Sequence, residues 1–167
     1  MRFARQGVAA AVHNSSVPDT SHASRPLRRK SGAFVTLKVG GQLRGCIGSV
    51  EGRLALVELV VQMAMAAATR DPRFAPVTAA ELPELELELS VLGPVVLCEE
   101  IELIEIGRHG LVIVKGNRTG VLLPQVASEN GWDRAMFLRQ VCLKASLPAE
   151  AWRDSASTLY MFSAEVF

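Results

Sequence analysis

Two periods of hydrophobic and polar positions run along this chain. Leu85-Glu86-Leu87-Glu88-Leu89-Ser90-Val91-Leu92 alternates strictly. It predicts a strand with Leu85, Leu87, Leu89 and Val91 inward and Glu86 and Glu88 on a solvated face. Ala33 to Val39 alternates as well, and Gln42 to Ile47 reads as a second strand. Gly40-Gly41 between them is a hairpin signal, because primed two-residue turns need positive φ. Such a loop would pair Val39 with Gln42, Leu37 with Arg44 and Val35 with Cys46. Cross-strand partners share a face, so Arg44 and Cys46 are expected on the apolar side. The helical period appears in Leu54 to Thr69, whose only polar stripe is Glu58, Gln62 and Thr69. That helix should be largely buried and should stop at Asp71-Pro72.

The remaining elements follow from weaker patterns. Phe3, Val8 and Val12 fall near one face of a helix over residues 1–12. Residues 13–30 read as a loop segment ending in Arg25-Pro26-Leu27-Arg28-Arg29-Lys30. Residues 95–106 suggest a short strand plus a turn, and Gly107-Arg108-His109-Gly110 a further turn. Leu111 to Val114 and Val121 to Leu123 suggest a hairpin around Gly116–Gly120, closed by Pro124-Gln125. Asp133 is the expected N-cap of a helix to about Ala145, with Phe137, Leu138, Val141, Cys142 and Ala145 as its apolar stripe. Ala149 to Trp152 would add a helical turn, and Thr158 to Phe167 a last strand. Strands joined by hairpins and separated by helices give an α+β fold, a mainly antiparallel sheet with flanking helices. A chain of 167 residues predicts one domain over 1–167, with a small subdomain formed by part of it.

Composition narrows the function classes. Lys+Arg number 18 and Asp+Glu 17, a formal charge of +1. That is no whole-chain footprint for nucleic acid. Cys46, Cys98 and Cys142 show no C-x-x-C spacing, which fits a reducing compartment and a cytoplasmic location. Met1 to Gln6 lacks the apolar run of a secretory signal. Glu58 and Gln62 interrupt the most apolar window, so no membrane span is expected. His13, His22 and His109 share no metal-ligand spacing, and no metal site is predicted.

The chemistry concentrates in Leu43-Arg44-Gly45-Cys46-Ile47-Gly48. An arginine on an apolar face needs a partner or a ligand. A nucleophilic thiol needs an electropositive, partly exposed setting, which Arg44 and the flanking glycines could give Cys46. The opposing reading is a small buried residue, as free cysteine often is. His109, between Gly107 and Gly110, is a candidate base for Cys46, against the plainer reading of a turn histidine. Arg70-Asp71-Pro72-Arg73-Phe74 is either a helix stop or part of a site.

These residues resemble the AMMECR domain family. The resemblance rests on Gly32-Ala33-Phe34-Val35-Thr36-Leu37, the Leu43–Gly48 run, Asp71-Pro72-Arg73-Phe74 and Leu89-Ser90-Val91-Leu92. In the second half it rests on Gly107-Arg108-His109-Gly110-Leu111, Leu123-Pro124-Gln125-Val126-Ala127, Gly131-Trp132 and Cys142-Leu143-Lys144-Ala145. Ser146 departs from it, standing where the family commonly has glycine, and the N-terminal helix is short. The resemblance implies two unequal lobes with the signature near a cleft. It supplies neither reaction nor cofactor, and the family's activity is unestablished. Memo-like and radical S-adenosylmethionine proteins are its implied partners. The expected site is a ligand- or partner-binding one formed by Arg44, Gly45, Gly48, Asp71, Arg73 and Gln125. The alternatives are a cysteine-dependent enzyme using Cys46 and His109, or a nucleotide- or nucleic-acid-binding module using Arg25, Arg28, Arg29, Lys30, Arg44 and Arg73.

Overall fold

Alternation along β1 (Ala33–Val39) turns Ala33, Val35 and Leu37 to one face, where all three are fully buried. The computed structural model describes residues 1–167, and the chain divides into two compact units. The first comprises Met1–Leu92 and Glu165–Phe167, the second Gly93–Ala164. The fold is α+β with four α-helices and seven strands, and the strand pairs are antiparallel.

In the first unit β1 lies between β2 (Gln42–Ser49) and β3 (Leu85–Leu92). The expected two-residue turn forms, with Gly40 at φ +56° and Gly41 at +75°. Phe167 exchanges two backbone hydrogen bonds with Leu89, of 3.0 and 3.1 Å. Helices α1 (Arg2–Val12) and α2 (Leu56–Thr69) share a core with this sheet, built from Ala4, Val8, Val35, Leu37, Leu59, Val60, Ala64, Ala67 and Leu89. The loop segment 13–30 carries one 3-10 turn, Arg25–Arg28.

In the second unit β7 (Thr158–Val166) pairs with β4 (Val96–Leu97) and with β5 (His109–Lys115), and β5 pairs with β6 (Arg118–Leu122). Helix α4 (Arg134–Lys144) covers Leu111, Ile113 and Leu159 with Phe137, Leu138, Val141 and Cys142. Asp133 caps it as expected, its side chain accepting from the Met136 N–H at 2.8 Å.

Four expectations are corrected. The β5–β6 turn is the two residues Gly116-Asn117, because Lys115 pairs with Arg118. His109 therefore opens a strand and does not sit in a turn. Pro124-Gln125 starts a short helix, α3 (Pro124–Glu129), as proline at a first helical position permits. Glu88 is half-buried and ion-paired with Lys38 at 2.9 Å, so that face of β3 is not simply solvated.

Ser146, which departs from the family pattern, stands where the backbone favours glycine. It follows the end of α4 at φ +56°, with its side chain exposed. That is the left-handed position where glycine carries no Cβ penalty. Ser146→Gly should raise stability by about 0.5–1 kcal/mol, seen as a higher urea midpoint at unchanged slope.

Candidate functional site

The hairpin register decides which signature side chains face where. Val39 pairs with Gln42 and Lys38 with Leu43, but Leu37 pairs with Gly45, Thr36 with Cys46 and Val35 with Ile47. Arg44 is thus the extra residue of a β-bulge between Leu37 and Lys38. A one-residue slip moves every later side chain to the opposite face. The expected pairs Leu37–Arg44 and Val35–Cys46 do not form. Gly45 and Ile47 turn to the core, and Cys46 to the other face.

The two signature glycines are there for packing. A Cβ on Gly45 would stand 2.3 Å from the Ala67 carbonyl oxygen of α2. One on Gly48 would stand 2.2 Å from the Phe34 ring and 2.6 Å from the Ala33 carbonyl oxygen.

Arg44 finds its partner inside the fold. Its Nε donates to Glu81 Oε1 at 2.7 Å and its Nη2 to Oε2 at 3.3 Å. Nη1 and Nη2 also donate to the Ala75 and Pro76 carbonyls at 2.8 and 3.3 Å. Glu81 accepts in addition from the Thr78 N–H and hydroxyl, each at 2.8 Å. The guanidinium therefore pins the 75–81 loop to the bulge. Arg44 chiefly, and then Thr78, lowers the Glu81 pKa to about 2. A lowered carboxyl pKa contributes stability that is complete above the unfolded value and is lost as pH falls through the folded one. Arg44→Ala should cost about 1–2 kcal/mol near neutrality. Urea titrations at several pH values should show that cost constant above about pH 5 and shrinking as the pH falls towards 2.

Asp71 and Arg73 close the free edge of β2, whose one strand neighbour is β1. The Asp71 side chain is 2 % exposed. Its Oδ2 accepts from the Cys46 N–H at 2.8 Å and from Arg73 Nη2 at 2.7 Å. Its Oδ1 accepts from the Arg73 N–H at 3.1 Å and Nε at 2.9 Å. Arg73 Nη2 reaches the Cys46 carbonyl at 3.5 Å. The pair thus stands in for a neighbouring strand at the one residue bearing the thiol. The Arg73 side chain holds the Asp71 carboxyl well below the usual carboxylate range, against the opposing effect of burial. Asp71 is therefore a fixed anion and no acid or base at neutral pH. Arg73 stays 47 % exposed, and its guanidinium lies over the Phe74 ring, 5.4 Å from the centroid.

Cys46, Thr36 and Glu88 form one row across β2, β1 and β3. The Thr36 hydroxyl donates to Cys46 Sγ at 3.3 Å. Thr36 is buried, Cys46 half-buried, and Glu88 carries Lys38. The row holds a thiol, a donor to it, and a charge pair. The Asp71 carboxylate raises the Arg73 pKa, against the opposing effect of burial.

The other expected residues lie in the second unit. His109 Nδ1 accepts from the Glu105 N–H at 3.1 Å. The neutral ring then carries its proton on Nε2, which leaves no lone pair free for a thiol. Gln125 stands half-buried in the first turn of α3. Of the arginines expected at nucleic acid, Arg28 is spent on the Ala23 and Ser21 carbonyls and Arg44 on Glu81, whereas Arg73 pairs with Asp71 and stays half-exposed. No helix is long and apolar enough to cross a membrane. Thr36 and Glu81 were not among the expected residues. Thr78-x-x-Glu81 is the spacing of a capping box and marks Glu81 in the sequence. Thr36 is marked by its alternation with Val35 and Leu37.

Comparison with known proteins places this geometry. The sequence model of the AMMECR1 family matches residues 1–167. Protein MK0488 of Methanopyrus kandleri is 42% identical over 176 residues, spanning 100% of this chain and 85% of that protein. Protein TK0174 of Thermococcus kodakarensis is 43% identical over 178 residues, spanning 100% and 87%. The crystal structure of the uncharacterized protein PH0010 from Pyrococcus horikoshii superposes with a TM-score of 0.93 at 38% identity, covering 99% of this chain and 87% of that one.

Proposed function

For a chain that belongs to the AMMECR1 family, we propose that the signature is a frame presenting the Cys46 thiol as a binding site for an anionic group. The observation that carries this is the division of labour within the signature. Arg44, Gly45, Gly48 and Asp71 are spent on holding the strand, whereas Cys46 and Arg73 keep unspent capacity beside each other. The Thr36 hydroxyl donates to Sγ, which holds the thiol side chain in place. The half-exposed guanidinium supplies the cation that such a group would meet. Binding is favoured over cysteine-dependent catalysis, because the nearest carboxylate is a locked anion and His109 offers no free lone pair. The test is alkylation of the folded protein with iodoacetamide, followed by peptide mass mapping. Cys46 should label while buried Cys142 stays protected. If Cys46 labels only after denaturation, the proposal fails.

A further inference from the structure

The second unit carries an apolar edge of opposite character. Strand β4 pairs with β7 through Val96–Met161 and Leu97–Tyr160, and β7 is its one strand neighbour. The Cys98 N–H donates inward to the Leu159 carbonyl at 2.9 Å. Antiparallel pairing alternates bonded and unbonded positions, so the Leu97 N–H and C=O face the open side. Val96 is 46 % exposed, Leu97 50 % and, a few residues on, Leu103 52 %. Exposed apolar side chains on an open strand edge are what sheet proteins normally avoid.

Charge selects the occupant. The segment 93–106 contains Glu99, Glu100, Glu102 and Glu105 and no lysine or arginine. Only Glu105 is ion-paired, with Arg108; the other three carboxylates are exposed and have no ion-pair partner. Two copies of this edge would repel each other, so a second copy of the chain is the wrong occupant. We propose that β4 is a docking edge for an extended, basic and apolar segment of another protein. That segment adds as a strand through the Leu97 main chain, lays apolar side chains against Val96, Leu97 and Leu103, and places Lys or Arg by Glu99, Glu100 and Glu102. Main-chain bonds supply affinity and side-chain alternation supplies selection in this mode of recognition.

A fluorescein-labelled peptide of alternating lysine and valine, followed by anisotropy at low salt, is the probe. The wild-type protein should bind it, and the Leu97 amide should gain protection from hydrogen exchange. The triple variant Glu99→Lys, Glu100→Lys, Glu102→Lys, changed only at exposed positions, should bind about tenfold more weakly or worse. A lysine–serine peptide of equal charge should lose a similar factor. Four results would overturn the proposal: no binding by folded wild-type protein, equal binding by the triple variant, equal binding of the serine peptide, or no added protection at Leu97.

Discussion

Asp71→Asn should lower stability by about 3 kcal/mol with little change in volume. The asparagine side chain keeps one acceptor oxygen and puts an NH₂ where the other stood. Four donors now converge on the carboxylate, two from the Arg73 side chain and two from the backbone of Cys46 and Arg73. Arg73 can turn to water, since half of it is already there. The Cys46 and Arg73 N–H groups sit on different carboxylate oxygens, so one of them loses its acceptor, and an unsatisfied donor is what makes such changes costly. The sign of the pH dependence follows from the lowered carboxyl pKa. Asp71 stabilises fully above the unfolded carboxyl value of about 3.9, and that contribution is lost as the pH falls towards the folded value. Denaturant titrations of both proteins should therefore differ most near neutrality and converge in acid. A constant gap down to strong acid would mean that the carboxylate charge is not what holds Cys46.

Gly45→Ala should cost a similar amount, about 3 kcal/mol, for a purely steric reason. The new Cβ meets the backbone oxygen of Ala67 at 2.3 Å, and a helix carbonyl has no rotamer to change. Either β2 or α2 must move, and both border the packed core around Leu37. Gly48→Ala is the useful comparison. Its Cβ would meet the Phe34 ring at 2.2 Å and the Ala33 backbone oxygen at 2.6 Å, so its cost should be comparable. Thermal unfolding of the two variants beside wild type checks both. Equal stability of Gly45→Ala and wild type would remove the packing role assigned to this glycine.

Long, strongly periodic segments were readable in the sequence: the Gly-Gly hairpin, the buried helix after it, the Leu-Glu strand and the Asp133-capped helix. Each repeats one period for several turns or pleats, so a single residue cannot mislead. Helix α3 was missed because six residues span fewer than two turns and show no period. The bulge was missed for a different reason. Leu43-Arg44-Gly45 continues the strand pattern, and nothing local marks Arg44 as the extra residue. The slip becomes necessary only once α2 is in place, because Ala67 tolerates glycine and nothing larger against it. That one residue reversed the reading of the site. Arg44 looked like the group in need of a ligand and is held by Glu81. Cys46 looked like a core residue and lies in the polar row with Thr36 and Glu88.

Joint action of Cys46 and Arg73 on anions shows in the relative rates at which Cys46 of the folded protein reacts with iodoacetate and with iodoacetamide. The two reagents deliver similar groups, and only iodoacetate carries a negative charge. The iodoacetate-to-iodoacetamide ratio should exceed that of free cysteine in wild-type protein and should fall towards it in Arg73→Gln. A wild-type ratio equal to that of free cysteine, or one that Arg73→Gln leaves unchanged, would contradict the claim.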